Sequence, residues 1–234
     1  MLSNIFKVTG KIKIICILNI FFLSFLGVDN YLFLTMDTFD INLLIKSIFT
    51  NQILIGMYMP FLMLFYINSI YKKDSFNRLA LIKIGNKEKW ILSNVKFIAK
   101  SALFLIIVFI ISLVSLITLN LNKYSNIVLS YNYLLNSILY FIFMYIYLFS
   151  IGIIFLLAKL KYKKINIALI ITISIIILDT LIIRLNMNIF NHFSMLCNII
   201  YSSELGISSL FYWILIPSFF IFILNELKDK VDLA

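Results

Sequence analysis

The chain has little of what most catalytic or cofactor chemistry needs. Its 234 residues include two cysteines, one histidine, two prolines and six glycines, and only ten acidic side chains against twenty basic ones. Cys16 lies in the first apolar run and Cys197 in a late loop, so neither a disulfide framework nor a cysteine metal site is expected. A membrane metalloprotease needs paired histidines, whereas His192 stands alone and reads as a polar residue at an interface. A phosphate-cradling loop needs glycines upstream of Gly-Lys-Ser/Thr, because bare amides must close on the phosphates. Here Gly10-Lys11 is followed by Ile12 and preceded by no glycine, so the chain holds no ATP by that motif. No Ser/His/Asp or Cys/His set can be assembled on one side of a membrane. No catalytic, cofactor-binding or metal-ligating residue is therefore expected, and the chain by itself is not expected to be an enzyme.

What it has is apolar surface. Apolar residues make up 63% and charged residues 13%, against roughly 45 to 50% and about 25% in soluble domains. That balance excludes a soluble core. An all-α integral membrane protein with one transmembrane domain over residues 1–234 is the expectation, since the length accommodates about six helices of roughly 20 residues across a hydrocarbon core of about 30 Å. The apolar runs predict spans over residues 14–34, 52–70, 101–119, 134–158, 165–183 and 207–224. The first has a basic flank (Lys7, Lys11, Lys13) but no small-residue cleavage site, and is read as an uncleaved helix.

Charge sets the topology. With both termini in the cytoplasm, seventeen of the twenty basic residues fall inside and only Lys46, Lys123 and Arg184 outside. The net charge of +10 thus reads as topology and attraction to anionic lipid headgroups, and nucleic acid is not an expected partner. The longest polar stretch, residues 71–100, carries eight basic residues (Lys72, Lys73, Arg78, Lys83, Lys87, Lys89, Lys96, Lys100) against Asp74 and Glu88. Asp74 or Ser75 can cap a short helix with Phe76, Leu79 and Ala80 on its apolar stripe, and Gly85 can end it in the left-handed conformation. Asn86 can cap the next helix, with Trp90 as its anchor at headgroup level. The bland reading is a topological anchor held by lipid; the patterning favours a docking surface for a soluble partner.

Within the spans, Met57 and Pro60 stand in the second and Pro217 in the sixth. Proline frees a carbonyl one turn back, so the second span is expected to pack against protein that satisfies it. The four hydroxyls of the third span (Ser101, Ser112, Ser115, Thr118) are expected to bond across helices. Asp29 and Asn30 interrupt the outer third of the first span, and residues 41–49 are expected on the membrane surface. Asp29, Asp179 and Arg184 are the intramembrane charges; one aspartate pairing with Arg184 beside an outward cavity stands against plain snorkelling to the interface. Residues 185–206 alternate apolar residues with Asn, His and Ser, which fits short helices at or dipping into the outer interface.

On this plan, and on the run Asn77-Arg78-Leu79-Ala80-Leu81-Ile82-Lys83-Ile84-Gly85-Asn86-Lys87-Glu88-Lys89-Trp90, the chain resembles permease subunits of ABC transporters of the type 2 exporter class. It is most similar to small six-span permeases of Gram-positive bacteria linked to bacteriocin immunity and antimicrobial-peptide export. The resemblance implies a homo- or heterodimer of permeases in the plasma membrane, with two separate ATPase subunits that carry ATP and Mg. It implies a coupling helix at about 74–84 and re-entrant helices within 185–206. The Ile, Lys and Asn bias suits a low-GC Gram-positive genome. The alternatives are a substrate-capture subunit of an energy-coupling importer, against which the first span lacks the Ala-x-x-x-Ala pattern, and a non-transporting membrane anchor or sensor.

Overall fold

The computed structural model describes residues 2–34, 39–40, 44, 47–48, 52–71, 87–121, 127–128, 131–184, 215, 217–219 and 221–226. These are almost entirely helical. Helix α1 spans Leu2–Leu34, a π-helical segment spans Gln52–Tyr58 and continues into α2 (Met59–Tyr71), and α3 spans Lys87–Leu121. Helices α4 (Tyr131–Tyr162) and α5 (Ile165–Arg184) follow. Among the described residues, four stretches are long and apolar enough to cross a membrane: Gly10–Val28, Leu54–Tyr71, Glu88–Leu119 and Tyr140–Tyr162. The fifth helix is apolar from Ile165 to Thr180.

Much of the described outer surface of the bundle is apolar, like its inside. Along α1, Ile12, Cys16, Ile20 and Leu23 are buried at helical spacing, while Ile14, Leu18, Phe22 and Phe25 on the opposite face are exposed. Water would not tolerate such a surface, but lipid imposes no penalty on it, so packing and hydrogen bonds rather than hydrophobic exclusion must hold the helices together. This is an α-helical membrane protein.

The segment containing Pro60 is at the centre. It contacts α1, α3, α4 and α5, while α1 lies chiefly along α3, and α5 along α4. In the Leu54–Tyr71 and Tyr140–Tyr162 stretches 61% of residues are buried, against 28% in Gly10–Val28, so the second and fourth helices form the middle of the bundle. Their approach is possible because Gly152 has no side chain. A Cβ there would collide with Ile98 Cγ2 of α3 and lie 3.3 Å from Met63 Cε and 3.4 Å from Ile67 Cδ1 of α2.

The two ends of the bundle are distinct. At one, Phe39–Asp40 and Ile127–Val128 form a two-residue parallel bridge, joining the connection after α1 to the one after α3. At the other, Lys13 Nζ lies 5.7 Å from the Phe104 ring centroid and Lys159 Nζ lies 3.7 Å from that of Tyr71. The connection from α4 to α5 turns there in two residues. Lys163 adopts the left-handed conformation (φ 55°) and its N–H donates to the Lys159 carbonyl at 2.9 Å, closing α4 as a glycine would elsewhere.

Several expectations change. Helix α1 begins well before residue 14, and Asp29 and Asn30 do not break it: its backbone is helical through Leu34. At about 1.5 Å per residue, its 33 residues extend roughly 50 Å, so it emerges from the hydrocarbon. In the 41–49 segment Leu44 and Ile48 are buried, and Ile48 Cγ1 reaches within 3.2 Å of where a Gly27 Cβ would stand, so Ile48 packs on α1. The hydroxyls of α3 do not reach across helices. Ser101, Ser112, Ser115 and Thr118 donate to the carbonyls of Phe97, Val108, Ile111 and Ser115 within their own helix, at 2.7 to 2.8 Å. In an apolar medium the nearest free lone pair is one turn back, and no partner helix has to be positioned to use it. Of the sixth expected span, helical backbone is described at 215, 217–219 and 221–226.

Candidate functional site

The candidate site is the root of the cationic segment, where α2 ends and α3 begins. Tyr71 closes α2 and is buried. Its hydroxyl donates to Asn94 Oδ1 of α3, and Asn94 Nδ2 in turn donates to the Trp90 carbonyl at 2.8 Å. The Tyr71 ring meets Phe97 of α3 edge-on (centroids 6.0 Å, interplanar 88°) and Phe155 of α4 at 6.1 Å. Lys159 of α4 sets its ammonium over the same ring. A desolvated cation over an aromatic face contributes about 2 kcal/mol. One side chain at the end of α2 thus ties three helices together. Further in, Tyr66 stacks on Phe104 at 5.6 Å and on Phe97 at 6.5 Å, which extends the contact between α2 and α3.

Beside this knot lies a groove of about 550 Å³, lined by Ile70, Tyr71, Leu92, Asn94 and Phe97 and by the polar stripe of Lys89, Ser93, Lys96 and Lys100. Lys89, Ser93, Lys96 and Lys100 are exposed. Trp90, expected as an anchor facing the headgroups, is 5% exposed and buried in protein.

The second feature is the break at Pro60. Pro60 cannot supply the N–H that a regular helix would give to the Gly56 carbonyl, and the seven residues before Met59 are π-helical. Tyr147 of α4, fully buried, donates its hydroxyl to that carbonyl at 3.0 Å. The expected protein partner for the freed carbonyl is present. On the other flank of the π segment, Tyr58 Oη donates to Asn19 Oδ1 of α1 at 2.7 Å.

Most of the residues expected to couple to an ATPase, namely Asp74, Phe76, Arg78, Leu79, Lys83 and Gly85, lie outside the described residues, and Lys87 is described as backbone alone. Lys89 lines the groove. Met57 is half-buried in the π segment and Pro60 is buried. Asp179 is 7% exposed, so it faces protein and not a lipid-side route to the interface. For Asp29 and Arg184 the helical backbone is described, and their expected pairing lies outside the described side chains, as do the expected interfacial helices of 185–206. Pro217 is half-buried in helical backbone. Sequence reasoning missed Tyr71, Asn94, Tyr147 and Lys159. The one available signal was that a buried Tyr or Asn must place its polar end on a partner.

Compared with known proteins, the chain matches no protein-family model, no curated protein and no solved structure.

Proposed function

We propose that the chain is the membrane-spanning subunit of an ATP-driven exporter, with six spans and both termini in the cytoplasm, working as a homo- or heterodimer with separate ATPase subunits. The cargo is an amphipathic peptide or hydrophobic compound, as in antimicrobial-peptide immunity or export. The observation that carries this reading is the Tyr71 knot. A coupling segment transmits force only if its root is fixed to the helices that must move, and Tyr71 is held to α3 through Asn94 and Phe97 and to α4 through Phe155 and Lys159. In this reading, residues 74–84 dock on the ATPase through Arg78 and Lys83. Closure of the ATPase pair pushes on them, and the knot passes that movement to the second, third and fourth spans together. The weakened π segment and the Pro60 break supply a place where the second span bends, with Met57 beside it. Asp29, Asp179, Arg184 and Pro217 belong to the outer path.

Charge reversal at both Arg78 and Lys83 is expected to abolish ATP-dependent export and co-purification of the ATPase while membrane insertion stays normal. Undiminished transport in the double variant, or labelling that places Lys83 on the exterior, would overturn the reading.

A further inference from the structure

The groove beside Tyr71 has a property that docking of an ATPase does not use. Lys89, Lys96 and Lys100 recur at intervals of seven and four residues along α3, which brings them within about 40° of one another around the helix axis and spreads them over roughly 17 Å along it. Like charges at i, i+4 repel, which applies to Lys96 and Lys100, and among the groove's described lining residues no carboxylate stands beside that pair. We propose that this groove holds the headgroup of an anionic glycerophospholipid, with the phosphate seated between Lys96 and Lys100.

Position selects the lipid over other anions. The uncharged stretch of α3 begins at Ser101 and runs to Leu121, about 30 Å of helix, so Lys100 stands at the edge of the hydrocarbon and Lys96 one turn outside it. That is the depth of lipid phosphates. The other walls are apolar: Ile70, Leu92 and Phe97 flank the cations and can lie along a glycerol backbone and the first acyl carbons. Asn94 and Tyr71 use side-chain hydrogen bonds on each other and on Trp90, so Lys96 and Lys100, both exposed, are the cations placed to face the ligand. A phosphate there neutralises the stripe at the foot of the knot.

The test uses the purified full-length chain in detergent, with lipid retention read by native mass spectrometry and thermal midpoint read in parallel. Phosphatidylglycerol, phosphatidylcholine, glycerol 3-phosphate and inorganic phosphate are the four probes. The expected result is retention of phosphatidylglycerol over phosphatidylcholine, with a rise in midpoint that neither free phosphate produces. Loss of two lysines near an anionic surface is expected to weaken retention about 30-fold in the Lys96→Gln/Lys100→Gln variant. The Lys161→Gln/Lys164→Gln variant, which removes the same charge outside the groove, should retain the lipid. Equal weakening in both double variants, equal retention of phosphatidylcholine, or the same stabilisation by inorganic phosphate would each overturn the proposal. None of these outcomes depends on an ATPase, so the lipid site and the exporter reading can fail separately.

Discussion

Replacing Tyr147 by Phe removes one oxygen from the middle of the bundle and leaves the Gly56 carbonyl without the hydroxyl that Pro60 makes necessary. Two magnitudes bear on the cost. Hydrogen bonds between helices in membranes average about 0.6 kcal/mol and reach about 1.7 kcal/mol, whereas orphaning a buried acceptor costs about 1 to 3 kcal/mol. Gly56 and Tyr147 are both buried where water does not reach, so the second effect governs and the loss should be about 1.5 kcal/mol. The partner variant is Pro60→Ala. It restores an N–H that can donate to Gly56, so Tyr147→Phe made in that background should cost almost nothing. The coupling in the double-mutant cycle is then about 1.5 kcal/mol, measured by reversible unfolding in bicelles. An identical cost for Tyr147→Phe in both backgrounds would refute the argument that the tyrosine exists to answer the proline.

Gly152→Ala should destabilise the bundle by about 1 to 3 kcal/mol through overpacking, because its methyl meets Ile98, Met63 and Ile67 at once. Pairing it with Ile98→Ala should recover a large part of that loss in the same unfolding assay. Lys159→Met keeps the aliphatic stem but removes the cation from the Tyr71 ring, and should lower stability by about 2 kcal/mol. If the knot transmits force, the same variant should uncouple ATP hydrolysis from export in the assembled transporter, whereas Lys161→Met, at the exposed turn, should leave both unchanged.

Some features needed no tertiary information. The apolar runs mark the helices because a hydrocarbon core demands about 20 apolar residues in succession and lets no backbone group go unpaired. Pro60 announced that the Gly56 carbonyl required a donor from another helix. Charge counts could separate the ends of the bundle, since lysine clusters at one end are a one-dimensional property.

Which residues meet is a different kind of fact, because it depends on how each helix is rotated about its own axis, and in a chain apolar on all sides periodicity hardly reports that rotation. Hence Tyr147, 91 positions from Gly56, could not be singled out among the tyrosines of its span. Asn94 gave no sign that it would receive Tyr71, and the hydroxyls of α3 turned inward on their own backbone instead of bridging helices. Gly152 could be seen as a glycine but not as the point where three helices close. The sequence by itself determined that this is a membrane bundle with a cationic segment and a proline that needs help. Packing alone decided which side chains supply that help and tie the second, third and fourth helices at Tyr71, because contact follows from the rotation and depth of helices, and neither is written in hydropathy.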